Sequence, residues 1–327
     1  MAKETVFTAS RRKVLAGIGG VAVAGLSGSA SAGGEAPGFF ERTGLEIGLQ
    51  IYALGDEAGK DLDATFAEVA EIGFRDIEMP GLLGHSAADV RAAAYRAGLG
   101  ISSVHVPLST MGRGGGGLTF ETEAPALADM LGELGASWAV APIAPFPEGL
   151  RFDTGEDFQT VIGKAFAAAG ADHWKKTAEL LNTKGEALKP LGVRTGYHNH
   201  NLEFGPAGET TGWEVLVTET DPGIVSFEID LGWVKAAGLD PLLFLNKCSG
   251  RIALIHVKDI AEGSTAGYAL AMNPTQVGEG SQDWSKLLPA AHAAGARHFY
   301  VEQEPPFAIP RMEAARRGYD FLAKLKA

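Results

Sequence analysis

Apolar runs rich in β-branched residues alternate along the chain with longer segments whose apolar residues recur every three or four positions. The first pattern is typical of buried strands and the second of amphipathic helices. From residue 46 onward the alternation predicts eight strands, over 46–52, 74–79, 101–106, 138–141, 193–199, 225–230, 252–258 and 298–303. It predicts a helical segment after each of them, over 62–71, 87–97, 125–134, 156–188, 213–219, 241–248, 284–293 and 311–325, with the fourth broken near Gly170.

Eight strand-then-helix units in one chain predict an α/β protein that folds as a single (β/α)8 TIM barrel over residues 44–327. Crossovers through helices favour parallel strands, and eight parallel strands close into a barrel. An open, doubly wound sheet is the alternative, but no Gly-x-Gly-x-x-Gly follows the first strand to mark a dinucleotide site. The pattern requires no second domain.

The first 32 residues follow a different pattern. Paired arginines, Arg11 and Arg12, precede a modestly apolar run over 16–26, and the segment ends in Ala30-Ser31-Ala32. This order is typical of a twin-arginine export signal, so we expect these residues to be cleaved and the protein to be periplasmic or otherwise exported. A membrane-anchoring helix is the alternative, but the run is glycine-rich and short for a bilayer span. The next residues, 33–43, are predicted to be a linker.

Charge and cysteine content limit the partners. The 327-residue chain carries a formal net charge of −12. Nucleic acids and acidic membranes are bound by clustered Lys and Arg, and the body of the chain has no such cluster. We therefore expect a small-molecule partner, with no nucleic acid and no membrane once the signal is cleaved. Cys248 is the only cysteine, which excludes an intramolecular disulfide.

Polar residues collect at the predicted strand ends, and the active site of a (β/α)8 barrel lies at this C-terminal mouth. They are Gln50, Glu78, His105, His198, Asn199, His200, Glu228, Asp230, His256, Lys258, Glu302 and Gln303. Because side chains two apart on a strand share a face, His198 and His200 should point the same way. Buried ionisable groups at this density are unfavourable unless they pair or bind a cation.

Two interpretations of this polar ring remain open. Imidazoles and carboxylates together suit one divalent ion, which can be Mn²⁺, Co²⁺, Mg²⁺, Fe²⁺ or Zn²⁺, and the lack of thiolate ligands excludes sulfur-rich zinc sites. Alternatively, the same groups form a salt-bridge network that closes the mouth of the barrel.

Five short motifs lie in the second half of the chain. They are Tyr-His-Asn-His-Asn-Leu-Glu-Phe (197–204), Glu-Ile-Asp-Leu-Gly-Trp-Val (228–234), His-Val-Lys-Asp (256–259), Gly-Glu-Gly-Ser-Gln-Asp-Trp (278–284) and Val-Glu-Gln-Glu (301–304). Their order and spacing resemble the xylose-isomerase-like TIM-barrel superfamily, specifically its sugar phosphate isomerase/epimerase group. Ile-Gly-Leu-Gln-Ile-Tyr (47–52) also fits, so the resemblance covers essentially all of the chain after the signal.

The resemblance implies one divalent cation bound at the ends of strands five to eight. Asp230, His256 and Glu302 match three of the family's ligand positions, and His198 stands at the fourth, where sugar epimerases commonly have a glutamate. Those epimerases use two glutamates as their acid/base pair, so a histidine here changes the expected mechanism. Inosose dehydratases of the same superfamily have a similar histidine-rich fifth strand, which makes elimination the alternative reaction.

These residues have expected catalytic roles. Glu302 is the expected base, and His198 or His200 would return the proton or assist a departing hydroxyl. Lys258 would stabilise an oxyanion, with an ordinary salt bridge to Glu228 as the alternative.

Four further residues are expected to contact substrate: Glu78, His105, Glu228 and Trp233. Each contact has a structural alternative. Glu78 can pair within the ring, His105 can be a satisfied hydrogen-bond donor, and Trp233 can belong to the core instead of forming an apolar wall against a sugar.

The sequence therefore predicts a divalent-metal-dependent isomerase or epimerase acting on a keto-sugar or related polyol through a metal-stabilised enediolate. A dehydratase or lyase acting on an inosose or keto-glycoside is the first alternative. A non-catalytic periplasmic sugar-binding protein is the second. An endonuclease for abasic DNA shares the barrel, but the acidic charge and the export signal argue against it.

Overall fold

The computed structural model describes residues 37–109, 118–151 and 155–327, and in them eight parallel strands close into a barrel. Each strand pairs with its neighbours in chain order, and the first strand pairs with the last to complete the closure. The predicted (β/α)8 fold is confirmed. The predicted export signal and residues 33–36 of the predicted linker lie outside the described residues.

The barrel strands are β1 Gly48–Gln50, β2 Asp76–Met79, β3 Gly100–His105, β4 Trp138–Ala141, β5 Arg194–His198, β6 Val225–Asp230, β7 Ile252–Val257 and β8 His298–Val301. The helices are α1 Phe39–Thr43, α2 Leu62–Ile72, α3 Ala87–Ala97, α4 Ala124–Leu134, α5 Phe158–Leu188, α6 Gly212–Glu219, α7 Leu231–Ala236, α8 Pro241–Lys247, α9 Trp284–Ala294 and α10 Arg311–Lys324. Two short antiparallel pairs lie at the mouth, Pro206–Ala207 with Thr210–Thr211 and Asp259–Ile260 with Pro274–Thr275.

Three elements differ from the sequence prediction. The predicted linker extended to residue 43, but α1 forms there because Phe39 and Phe40 are buried against the ring of Phe299. The first strand ends at Gln50, and a 3-10 segment, Ile51–Gly59, follows it. The sixth unit has an additional short helix, α7, whose start is capped by the Asp230 side chain. Within α5, the predicted break near Gly170 is confirmed by its left-handed φ of 66°.

Two strand pairs contain a register shift. Between β2 and β3, Ile77 pairs with Ile101 but Glu78 pairs with Ser103, so β3 has one extra residue. Between β6 and β7, Phe227 pairs with Ile252 but Glu228 pairs with Leu254, so β7 has one extra residue. Such bulges re-aim side chains and are common beside active sites. Here each shift falls directly at a buried glutamate.

The bulge in β7 also changes which side chains face inward. We expected Ile252 and Leu254 to lie on the same face as His256 because of the two-residue period. Instead, Leu254 packs inside the barrel with Trp138, Val140 and Tyr300, whereas Ile252 belongs to the outer core between strands and helices. The lower interior of the barrel is thus apolar, and the polar groups lie above it. Within the described ranges, no helix is long and apolar enough to cross a membrane.

Candidate active site

Most of the predicted polar residues meet at the C-terminal mouth of the barrel. Strands β5, β6 and β7 supply His198, Asp230 and His256, and Lys258 and Glu302 follow directly after β7 and β8. All five side chains are buried. Since charged groups in this setting must find partners, their contacts decide what the site can do.

Three of these residues form the upper part of the site, which we call the upper cluster: Asp230, His256 and Glu302. Each offers one ligand atom, and these atoms lie within 4.8 Å of one another. Nδ1 of His256 is 2.6 Å from Oε2 of Glu302 and 3.7 Å from Oδ2 of Asp230. One imidazole nitrogen and two carboxylates form a mixed donor set that suits the divalent ions named above. These residues therefore fit a metal ion.

Lys258 contacts the same two carboxylate oxygens. Its Nζ lies 2.8 Å from Oδ2 of Asp230 and 2.9 Å from Oε2 of Glu302. Its stem runs over Gly232, where a Cβ would come within 2.8 Å of the lysine Cγ, so the chain needs a glycine at this close approach. The predicted alternative partner, Glu228, pairs with Leu254, four residues before Lys258 and therefore deeper in the barrel, so it is not among the described ion-pair contacts of the lysine.

Four residues form a deeper group, which we call the lower cluster: His105, His198, Glu228 and His256. Oε2 of Glu228 lies 2.9 Å from Nε2 of His105, 3.1 Å from Nδ1 of His198 and 3.1 Å from Nε2 of His256. The four predicted metal ligands are thus divided: three form the upper cluster, whereas His198 lies in the lower one. His256 belongs to both.

Glu78 supports the lower cluster from below. Its Oε2 accepts from Nε2 of His256 at 2.6 Å and from Gln50 at 2.7 Å, and its Oε1 accepts from Ser103 at 2.5 Å. Glu78 and Glu228 are fully buried. We predicted that both contact substrate, and the geometry favours a supporting role for them instead. The same holds for His105, which is hydrogen-bonded to Glu228.

His200 lies beside His198 just beyond the end of β5. Its ring centroid is 5.0 Å from that of His198 and 5.1 Å from that of Trp233. Its backbone N–H donates to Oε2 of Glu203 at 2.9 Å, which fixes the turn. Nδ1 of His200 is buried and has no hydrogen-bond partner among the described residues. This nitrogen is therefore available to a ligand.

The predicted apolar wall, Trp233, is almost fully buried. Nζ of Lys258 lies 5.2 Å from its ring centroid, so the indole supports the lysine by a cation–π contact. Trp233 therefore lies behind Lys258 and His200, and its exposed edge towards a ligand is small.

The charges of the site follow from these contacts. Burial alone would lower the pKa of Lys258, but Asp230, Glu302 and Glu304 together hold it well above its usual value. Burial would raise the pKa of Glu302, but Lys258 and His256 hold it well below its usual range. At neutral pH the site thus contains a charged lysine next to an ionised carboxylate.

Both His198, at the end of β5, and His200, just beyond it, have a lowered pKa. Burial and the charge of His256 lower the pKa of His198 to about 4. Burial, with His198 next to it, holds the pKa of His200 well below its usual value. Both rings are neutral at pH 7, so each can accept a proton or a metal.

Three contributing residues were missed in the sequence. Glu304 lies at the rim, with Oε1 3.1 Å from Nζ of Lys258. Asn201 bonds the backbone of Gly267, Leu270 and Ala271 and so ties the loop after β7 to the end of β5. Glu203 holds His200. All three lie within the sequence motifs at 197–204 and 301–304, and the two-residue period already placed Glu304 on the face of Glu302.

Comparison with known proteins decides the family. A family model described as xylose isomerase-like TIM barrel matches residues 66–325. The chain belongs to this family. An inosose dehydratase from Lacticaseibacillus casei is 30% identical over 154 residues, which cover 42% of this chain and 50% of that protein. The chain thus spans about half the length of this curated relative.

Two solved structures have the same fold. A sugar phosphate isomerase/epimerase from Parabacteroides distasonis ATCC 8503 aligns over 86% of this chain and 94% of its own, with a TM-score of 0.65 and 26% identity. A D-psicose 3-epimerase from Clostridium cellulolyticum H10 aligns over 86% and 100%, with a TM-score of 0.57 and 13% identity. The second similarity concerns the fold alone.

Proposed function

We propose that this protein is a divalent-metal-dependent isomerase or epimerase that acts on a keto-sugar or related polyol. The observation that carries the proposal is the upper cluster, in which the ligand atoms of Asp230, His256 and Glu302 lie within 4.8 Å at the barrel mouth. The similarity to a sugar phosphate isomerase/epimerase over most of the chain supports it.

The upper cluster would hold the metal, with Nδ1 of His256 as its nitrogen donor. His198 is the proposed fourth ligand; since its Nδ1 contacts Glu228, it would bind through Nε2. A divalent ion there would supply Lewis acidity, lowering the pKa of the C–H next to a substrate carbonyl. Glu78 would keep the His256 ring in place by accepting a hydrogen bond from Nε2.

The chain's own residues would move the proton. Glu302 is ionised, lies at the mouth and is the proposed base. The free Nδ1 of His200 would accept or return a proton on the neighbouring carbon. The Lys258 ammonium would stabilise negative charge that develops on the substrate oxygen. Because these groups are buried, water is largely kept from the enediolate.

A dehydratase is the second candidate, and two observations favour it. The β5 strand ends in His198, where sugar epimerases commonly have a glutamate, so the site has no second glutamate at that position. The curated relative with 30% identity over half its length is an inosose dehydratase. Elimination starts with the same removal of a proton next to a carbonyl, but an acid must then protonate a departing hydroxyl.

Deuterium incorporation from D₂O into a panel of keto-sugars and inososes would test the proposal. Exchange with retention or rearrangement of the substrate is expected for an isomerase or epimerase. An unsaturated product would instead identify a dehydratase. If the metal-loaded protein catalyses neither exchange nor elimination with any compound of the panel, both enzymatic functions are contradicted and a sugar-binding protein is favoured. The His256→Ala variant is the control for contaminating activity.

We also propose export by the twin-arginine route. The paired arginines and the Ala-x-Ala site in the first 32 residues support this. Exported enzymes meet few sugar phosphates, so a non-phosphorylated substrate is expected. Fractionation of cells that express the full chain should find the processed protein outside the cytoplasm. Replacing Arg11 and Arg12 by lysine should retain it inside; unchanged export would refute the route.

A further inference from the structure

A cleft of about 610 Å³ opens at the mouth of the barrel. Its lining includes Tyr52, Pro80 and Pro107, which follow shortly after β1, β2 and β3. The upper cluster stands across the mouth, on β6 to β8. The proposed chemistry uses none of the residues that line this cleft, although its volume is within the range of about 300–1,000 Å³ that small-molecule sites have.

The walls of the cleft are chemically unlike the upper cluster. Leu82, Leu83 and Leu118 line it together with the two prolines, and the lining also includes Asp56 and His85. Tyr52 is 45% exposed. An exposed aromatic ring beside aliphatic walls suits the flat, apolar face of a ring better than a phosphate or a carboxylate.

The wall formed by the loop after β2 is held in a fixed conformation. Leu83 has a left-handed φ of 53°, which is unfavourable for a leucine, and such residues persist where their surroundings hold them. The ring nitrogen Nε2 of His85 lies 2.7 Å from the carbonyl oxygen of Gly59, which ties this loop to the one after β1. The two loops therefore form a preformed surface, which reduces the entropy lost on binding.

Tyr52 links the cleft to the candidate site. The Tyr52 hydroxyl interacts with the carboxylate of Glu304. Glu304 in turn lies 3.1 Å from Nζ of Lys258. A molecule that reaches from the upper cluster into the cleft therefore passes along Glu304 and Tyr52.

We propose that this cleft binds a second ring of the substrate, so that the substrate is a keto-glycoside with a ring-bearing aglycone. The reacting sugar would lie at the upper cluster, and the aglycone would pack between Tyr52 and Leu83. This assignment of substrate class rests on the proposed function.

Calorimetric titration with matched methyl and phenyl β-D-glucosides and β-D-galactosides tests the cleft directly. In at least one pair, the phenyl glycoside should bind roughly tenfold more tightly than the methyl glycoside. Tyr52→Ala should remove that preference, and Tyr52→Phe should keep it because the ring remains. Leu83→Asn should also remove it, since asparagine tolerates the left-handed backbone but lacks the apolar side chain. Tyr95→Ala is the control, because that tyrosine is 77% exposed on α3.

Two results would overturn the proposal: equal affinity or no binding within every pair, or a phenyl preference that survives in both Tyr52→Ala and Leu83→Asn. The melting temperature of each variant shows whether it is folded, and either variant alone suffices if the other is not. His256→Ala separates this proposal from the proposed function, because it should abolish deuterium exchange and keep the phenyl preference. A phenyl preference in a protein without exchange activity would support the proposed aglycone site and contradict the proposed enzymatic function.

Discussion

Each ring nitrogen of His256 lies 2.6 Å from a carboxylate oxygen: Nδ1 from Oε2 of Glu302, and Nε2 from Oε2 of Glu78. Burial alone would lower the pKa of this histidine. The charges of Glu228, Glu302 and Glu78 outweigh burial and raise its pKa well above the usual value. In the absence of a metal the ring is therefore an imidazolium that donates from both nitrogens.

Metal binding should consequently release about one proton per ion at pH 7, because a ligating Nδ1 must lose its hydrogen. The sign follows from the raised pKa: the proton is bound before the metal enters. Titration calorimetry with Mn²⁺ in buffers of different ionisation enthalpy measures the release. Metal affinity should also weaken as the pH falls. Binding heat that is independent of the buffer would contradict this prediction.

Metal content tests the upper cluster itself. We expect about one divalent ion per chain in purified protein. Asp230→Ala or His256→Ala should lose it, since each removes one of three neighbouring ligand atoms. Elemental analysis by mass spectrometry measures the ion, and Glu313→Ala on the surface is the matched control. Full retention in both cluster variants would exclude the proposed site.

The same analysis separates the two histidines of β5. His198→Ala should lower metal occupancy if His198 is the fourth ligand, whereas His200→Ala should leave occupancy unchanged and reduce turnover. The opposite pattern would exchange their roles.

Glu78 should act through His256 without touching the substrate. Glu78→Gln weakens the hydrogen bond that orients the ring, and changes of this kind reduce metal affinity by about 10–100-fold. Competition with a fluorescent chelator measures that affinity, and the exposed Glu46→Gln is the control. If affinity is unchanged but KM for substrate rises, Glu78 contacts the substrate as the sequence suggested.

The sequence predicted the barrel because its information is local. Each apolar run and each amphipathic segment can be recognised within about ten residues. Eight strand-then-helix repeats are compatible with few topologies. Strand ends then identified the mouth, so Asp230, His256 and Glu302 were brought together correctly in space. That part required only the rule that parallel strands end on one side.

What the sequence did not reveal depends on contacts between distant segments. An extra residue in β3 or β7 leaves the apolar pattern nearly intact, so neither bulge could be seen. The register between β6 and β7 pairs Asp230 with His256 and Glu228 with Leu254, which places Lys258 near Asp230 and away from Glu228. The orientation of His198 depends on the neighbouring strand β6, because its Nδ1 contacts Glu228. Helix α1 is stabilised by the contact between Phe39 and Phe299, which is distant in the sequence.

The stability of the protein should depend on the protonation of Glu203. Burial raises the pKa of this carboxyl to about 7, against about 4.3 in an unfolded chain. The folded state therefore favours the protonated form, and the stability that this contributes is lost as pH rises through 7. Between pH 5 and pH 8 the wild type should lose about 3 kcal/mol relative to Glu203→Gln, which does not titrate.

Urea unfolding at several pH values measures this difference. The glutamine keeps an acceptor for the Tyr197 hydroxyl, which lies 2.6 Å from Oε1 of Glu203. A constant gap between the two proteins over this range would mean that the carboxyl titrates normally.

The two register shifts have a consequence for engineering. Each places a buried glutamate, Glu78 or Glu228, opposite a residue that an unbulged ladder would have paired elsewhere. The backbone register, as well as the choice of side chains, thus determines where the side chains of the lower cluster point. Grafting the same histidines and carboxylates onto another eight-stranded barrel should fail to reproduce their spacing unless both extra residues are transplanted with them.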